Sequence, residues 1–369
     1  MTFYYAMMFI IPLIIWIGVA KVFLHFEFTW GEVALQLFVT ALVIFGIFAA
    51  GSVSQTRDTM FVNGVVTQLD PERQSCPIGW NDYRDSFCTE YRTRSVPDGQ
   101  TCTTTNGRRS CTTNYKTQYN YIYGWEQRYF IRTTIQSYEI PRVDSQGVNT
   151  PPRFAEVQIG DPVASQVSYT NYIRGASNSL FNEQLPPDEL PPIAYPSIRD
   201  FYHANRVIVT GIESNANFQQ EWNSQLEVVN SNIIETGANV IVVVTGYSQK
   251  FAEQLAQAWE AHNINDVIVV IGTDGQNVDW VDVRSWSSDS IVNIEIRDEI
   301  LNLGTLDTTA ITGIIESSIM SGYELQSMDN FEYLADDIPP PTWAFVLAFI
   351  ILMIVTPVIT YIFNKHDVI

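Results

Sequence analysis

Three short apolar runs finish in hydroxyls and glycines: Val209-Thr210-Gly211, Val244-Thr245-Gly246 and Ile271-Gly272-Thr273-Asp274. As parallel strands they would end on one edge of a sheet, where open α/β sheets bind ligands. Gly211, Thr245, Gly246 and Thr273 are therefore the candidate ligand-edge residues, offering hydroxyls and exposed backbone N–H groups. The same residue types also end strands simply because they suit turns. Asp266 opens the third run and Asp274 follows it, and these two are the candidate metal ligands. More carboxylates come after them: Asp279, Asp282, Asp289, Glu295, Asp298 and Glu299. A hard cation such as calcium, which takes roughly six to eight oxygens, is the one cofactor they suit. Against a dedicated site, Asp279 and Asp282 face opposite sides of a strand, and no EF-hand spacing occurs.

Nucleophilic chemistry finds little footing. There is no G-x-S-x-G elbow and no glycine-rich phosphate loop. The histidines, His25, His203, His262 and His366, are scattered. The cysteines are better spent on disulfides. Cys76, Cys88, Cys102 and Cys111 cluster in one loop-rich stretch and contain no C-x2-C pair for zinc. Cys102 and Cys111 flank Asn106-Gly107, a two-residue hairpin signal, and would face each other across it. Cys76 and Cys88 form the second expected pair, which implies an oxidising compartment.

The elements that must position these residues fall into two regions. Residues 54–200 read as a β-rich module rich in Tyr and Thr, with Tyr119, Tyr121 and Tyr123 alternating as in a strand. Proline doublets at 151–152, 186–187 and 191–192 then mark extended chain, with a boundary near 190–205. Residues 206–337 alternate strand and helix, the order of an α/β domain. Apolar residues at helical spacing (Phe218, Trp222, Leu226, Val229, Ile233) follow the first strand, and Gly237 ends that helix. Phe251, Leu255 and Trp259 mark a second helix, and Ile311, Ile315 and Ile319 a later one. Val278-DWVDV and Ile291-VNIEI alternate as two further strands, and a short helix is expected near 327–335.

Three long apolar segments, 3–24, 33–53 and 343–363, have the length of transmembrane helices. The second and third carry no charge, so a transport pathway through them is not expected. Gly46 and Ala49-Ala50-Gly51 offer small residues for helix packing. Lys21 and Lys365 belong in the cytoplasm by the positive-inside rule, which makes the C-terminus cytoplasmic and places 54–340 on the non-cytoplasmic side. The net charge is −20, and residues 54–340 hold 37 acidic against 18 basic side chains. Such a surface repels nucleic acid. The absence of any N-x-S/T sequon fits a bacterial periplasm, or a bacteriophage protein placed in that membrane.

Residues 206–337 resemble the TPM domain family. The matching stretches are ANVIVVVTGYS at 238–248, QKFAEQLAQAWEAHNI at 249–264 and NDVIVVIGTDG at 265–275. The resemblance implies a small extracytoplasmic α/β domain tied to a membrane helix, in a family that includes cation-binding and phosphatase members. It puts Asp266 and Asp274 at the family's acidic positions. The family's glycine-rich stretch after the next strand reads VDVRSWSSDS here, which weighs against a shared catalytic site. The expected protein is thus a TPM-like domain and a disulfide-containing β-rich module on three transmembrane helices. Its expected partners are the lipid bilayer and another membrane or envelope protein. The expected role is that of an interaction or scaffold protein in assembly, maintenance or modification of the cell envelope, with a cation-dependent phosphatase as the alternative.

Overall fold

The computed structural model describes residues 14, 16–22, 29–105, 108–176, 193–196, 198–200, 203–214, 216–259 and 262–366. Helix α1 (Trp30–Thr56) leads into strands β1 (Arg57–Ser75), β2 (Trp80–Asn81), β3 (Tyr91–Thr105), β4 (Arg108–Tyr121), β5 (Trp125–Thr133) and β6 (Ser137–Ile140). The single turn α2 (Pro152–Ala155), β7 (Pro162–Thr170) and the turn α3 (Tyr172–Gly175) follow. After β8 (Ile198–Asp200) and β9 (His203–Ala204) come β10 (Val207–Thr210), α4 (Ala216–Asn232), β11 (Asn239–Thr245), α5 (Lys250–Ala258), β12 (Asp266–Thr273) and β13 (Val278–Ser285). Helices α6 (Ile291–Leu303) and α7 (Thr308–Gly322), a 3-10 segment (Met328–Asp337) and α8 (Thr342–His366) complete the chain. The protein is mixed α/β, with β-rich sheets, two disulfides and two helices long and apolar enough to cross a membrane.

The described residues divide into two compact units. One comprises 63–165 with 200–203; the other comprises 1–62, 166–199 and 204–369. Chain 166–199, grouped with the β-rich module on sequence, thus falls in the second of these.

The second unit is built on a sheet of order β10-β11-β12-β13, parallel except for its last strand. β11 and β12 are buried at every residue, as strands covered on both faces must be. Alternation sends Val240, Val242 and Val244 to one face, against Trp222 and Leu226 of α4, Ile296 and Ile300 of α6, and Ile311 and Ile315 of α7. Ile241 and Val243 go to the other face, against Phe251, Leu255 and Trp259 on and after α5. Gly237, with φ +74°, ends the short 3-10 turn after α4.

The run Ile291-VNIEI is a helix, not the strand expected from its alternation. Its β-branched residues favour a strand locally. The residues that reach the core, Val292, Ile296 and Ile300, recur every four positions, and packing against the sheet decides the matter. Ile294, 48% exposed, points away.

The β-rich unit carries a sheet of order β6-β5-β1-β7 around Tyr129, Ile131, Ile140, Phe154 and Val163. A second sheet, β2-β4-β3, contains the long hairpin β3–β4. Cys102 and Cys111 are directly opposite in that hairpin and form a disulfide, and Cys76 pairs with Cys88. The expected turn residues Asn106 and Gly107 lie outside the described residues.

Helices α1 and α8 pack antiparallel. Their buried positions repeat every four residues: Glu32, Gln36, Thr40, Ile44 and Phe48 on α1, and Ala344, Ala348, Leu352, Thr356 and Thr360 on α8. Gly51 lets the helices close up, since a Cβ there would lie 2.8 Å from Pro341. A Cβ on Gly46 would meet nothing among the described residues. α1 begins at Trp30 rather than 33 and so includes Glu32, which is 3% exposed; the reading of an uncharged segment missed it. Gln36 Nε2 donates to Glu32 Oε1 at 3.2 Å and to Thr360 Oγ1 at 2.8 Å. Of the expected first span, 3–24, only residues 14 and 16–22 are described, and these are helical.

If α6 is a helix, Ile294 and Ile296 must behave differently. Ile296→Ala is expected to cost about 2–4 kcal/mol in a urea melt and Ile294→Ala under about 0.5 kcal/mol. Equal losses would restore the strand.

Candidate functional site

The expected ligand edge is occupied by the protein itself. Thr210 pairs with Thr245, and Thr245 with Gly272, so the carboxyl ends of β10, β11 and β12 do line up. Gly246 N donates to Thr210 O at 3.0 Å. The glycines there serve close packing. A Cβ on Gly246 would lie 2.2 Å from Gly211 O, and one on Gly272 would lie 1.9 Å from Trp280 Nε1. The Tyr247 ring lies against Gly211, and the Trp280 indole donates to Tyr247 O at 3.1 Å. Thr245 and Thr273 are buried. Thr273 Oγ1 donates to Asn277 O at 2.5 Å and accepts from Gly275 N at 2.9 Å, closing the β12–β13 turn.

Asp274 serves the same turn. It accepts from Gln276 N at 2.8 Å, Asn277 N at 2.7 Å and Asn277 Nδ2 at 2.9 Å. These donors, the Asn277 amide first, pull its pKa down to about 2. Asp266 sits at the opposite end of β12, so the structure does not bring the two candidate metal ligands together.

The amino end of the sheet holds what sequence reasoning did not find. Asp266 is 0% exposed and accepts from Tyr195 Oη at 2.7 Å, Asn239 Nδ2 at 2.9 Å and Asn263 N at 3.0 Å. Burial lifts its pKa to about 6, and the three donors limit the rise. Asn239 Oδ1 accepts from the buried Arg206 Nε at 3.1 Å, and burial lowers the Arg206 pKa to about 10. Outward, Asn263 Nδ2 donates to Tyr195 Oη at 2.8 Å and Tyr169 Oη donates to Asn263 Oδ1 at 3.2 Å. Asn171 Nδ2 donates to Tyr169 Oη at 3.0 Å and to Asp58 Oδ2 at 2.9 Å. Arg174 Nη1 closes the chain on Asp58 Oδ1 at 2.9 Å. Burial raises the pKa of both tyrosines.

A cavity of about 290 Å³ opens on this network, lined by Asp58, Arg174, Tyr195, Trp259, His262 and Asn263 among others. His262 has φ +55°, a conformation uncommon outside glycine. Its Nδ1–H donates to Asn263 O at 3.0 Å, and burial lowers its pKa to about 4, so the imidazole is neutral at pH 7. The cavity offers charges of both signs, the Thr59 hydroxyl, amides and an indole wall among the described residues, equipment suited to holding a polar group.

In the β-rich unit, Cys76, Cys88 and Glu126 lie within 4.8 Å of one another. Both sulfurs belong to the disulfide. Glu126 is spoken for by Thr89 N, Glu90 N and Arg142 Nη1, at 3.0, 2.9 and 2.8 Å. Burial alone would raise its pKa; these donors outweigh it and hold it low. The group is a structural knot rather than a metal centre.

No family model matches the chain, and neither a curated protein nor a solved structure matches it.

Two outcomes follow from this geometry. Gly272→Ala should destabilise the domain by about 1–3 kcal/mol through overpacking against Trp280, and adding Trp280→Ala should recover part of the loss in a thermal melt. The Asp266 pKa is raised above its unfolded value, so its contribution to stability is full below pH 4 and lost as pH rises through 6. Urea melts between pH 4 and 7 should show Asp266→Asn removing on the order of 3 kcal/mol of that pH dependence. Parallel wild-type and variant profiles would assign the slope elsewhere.

Proposed function

We propose that this chain is a membrane-anchored, extracytoplasmic interaction protein that holds another membrane or envelope protein. Its role would lie in assembly, maintenance or modification of the cell envelope. The observation that carries this reading is the join between α1, α8 and the α/β sheet. Asn171 N donates to Thr56 O at 2.6 Å, at the last residue of α1. Gly175 packs on Thr56 and Ile338, and Ile173, Ala176, Ile264, Phe331, Leu334 and Ile338 form one buried cluster. Asn265 Nδ2 donates to Phe61 O at 2.7 Å. The domain is therefore packed onto its helices, not hung from a slack linker, which suits a platform of fixed orientation.

In this reading the chain has three membrane spans. Residues 54–340 are periplasmic, where the two disulfides are chemically at home, and the C-terminus is cytoplasmic. The α/β domain is TPM-like, a likeness supported by the stretches at 238–275. The cation-dependent phosphatase alternative is weakened by the separation of Asp266 from Asp274 and by the filled strand ends.

The test is crosslinking of the full-length chain in its own membrane, followed by recovery through a C-terminal tag. One defined membrane or envelope protein should be recovered from the wild type. Its yield should fall at least tenfold when residues 93–119 are replaced by a short turn, with the Cys76–Cys88 disulfide verified intact. An identical set of captured proteins with and without the hairpin would reject the proposal.

A further inference from the structure

The cavity beside the Asp266 network holds polar groups that the network does not use. Tyr195 and Asn263 in its lining are already bonded to Asp266, so that wall is fixed before any ligand arrives. The other walls come from separate elements. Asp58 and Thr59 start β1, Gln166 lies on β7, Arg174 on α3, and Trp259 and His262 follow α5. All of them belong to one compact unit.

Three polar groups of the lining make no hydrogen bond among the described residues: the Thr59 hydroxyl, the Gln166 side-chain amide and His262 Nε2. Nδ1 of His262 faces the Asn263 carbonyl, which can only accept, so Nδ1 carries the proton and Nε2 the lone pair. His262 thus offers an acceptor, Gln166 offers donors and an acceptor, and Thr59 offers either. Ala258 and Trp259 supply apolar surface, and the Trp259 indole N–H is taken by Ile193 O at 2.9 Å.

Charge narrows the choice of ligand. Asp58 and Arg174 are the charged residues of the lining, and they pair with each other at 2.9 Å. Asp58 is held further by Thr59 N at 2.8 Å and Asn171 Nδ2 at 2.9 Å. The His262 ring is neutral. The lining therefore carries no net charge. An anion drawn to Arg174 meets Asp58, and a cation drawn to Asp58 meets Arg174, which selects against both.

Size narrows it further. A volume of about 290 Å³ is at the small end of ligand sites, which run from roughly 300 to 1,000 Å³. That leaves room for one ring, not for a nucleotide or a peptide. A small neutral ligand that must donate at one wall and accept at the next needs several hydroxyls, since each can do both. It also needs a C–H face for Ala258 and Trp259. A sugar ring has both.

We infer that this cavity binds one neutral pyranose ring, with a ring hydroxyl donating to His262 Nε2, others bonding Gln166 and Thr59, and a C–H face against Ala258 and Trp259. A free monosaccharide and the end unit of a glycan present the same ring, and the test separates them. The site adds a ligand to the interaction role proposed above and does not depend on it.

The experiment uses the full-length chain in an oligo(ethylene glycol) ether detergent, which has no sugar headgroup to compete. Calorimetry and thermal melting are run with glucose, N-acetylglucosamine, the β-1,4-linked disaccharide of each, and glucuronate as the charged control. At least one of the four neutral sugars should bind with a Kd of about 1 mM or tighter and raise the Tm. Glucuronate should bind roughly tenfold more weakly or not at all. A monosaccharide that binds while its disaccharide fails identifies a free sugar; a disaccharide that binds as well or better identifies a glycan end. Gln166 is exposed, so Gln166→Leu keeps the fold. His262→Asn removes the imidazole with a residue that tolerates the positive φ. Each should raise the Kd roughly tenfold, with the unliganded Tm of Gln166→Leu unchanged. No saturable binding of any neutral sugar, glucuronate bound as tightly as glucose, or binding indifferent to both substitutions would each overturn the inference.

Discussion

A carboxyl group with no water around it must find its donors in the protein, and much of this fold is arranged around how Asp266 does so. Leaving a buried carboxylate unpaired costs several kcal/mol. Tyr195, Asn239 and Asn263 answer that need, and each must itself be placed. Asn239 is fixed by pairing of β11 with β12, where it lies beside Asp266. Asn263 is fixed by Tyr169, and Asn171 ties that tyrosine to Asp58 and Arg174. A need at the start of one strand thus recruits four separate stretches of chain. It also explains why the segment just after α1 and the segment around 169–174 belong with the α/β domain.

The strands and helices of that domain were legible because burial on both faces leaves a plain signature. Runs such as VIVVV at 240–244 admit little else, and Trp222, Leu226 and Val229 keep helical spacing. The disulfide pairing was legible from the near symmetry of Cys102 and Cys111 about a turn. Alternation in 291–296 misled, because two periods coexist there and only the core shows which one is used. The strand-edge site misled for a related reason. Thr and Gly at strand ends fit both a ligand cradle and tight packing, and Trp280, eight residues after Gly272, decides for packing. The polar network was invisible because its members are spread from Asp58 to Asp266 with no local pattern. The one available hint was Asp266 itself, an acid leading a strand that stays apolar until its closing Thr273.

The pair of long apolar helices shows the same logic along its seam. Residues four apart make a stripe on each helix, small at the Gly51 end and polar at the Gln36 end. For helices that cross a membrane, hydrophobicity cannot drive them together, and close backbone approach and side-chain hydrogen bonds would carry the association. The two ends of the stripe supply one of each. With the join at Thr56, Gly175 and Ile338, this makes the helix pair and the α/β domain one packed body.

The contact between Phe61 and Asn265 spans 204 residues of sequence. The stretch 63–165, with its own core and both disulfides, lies wholly within that loop. During synthesis, at roughly 5–20 residues per second, the β-rich unit would have all its partners in hand on the order of ten seconds or more before the α/β sheet has its last strand. The chain leaving α1 meanwhile meets Asn171 and Arg174 early, at Asp58, while Phe61 O must wait for Asn265. The order of events is therefore built into the topology: an inserted module that matures early, and a platform that closes only after the ribosome has passed it.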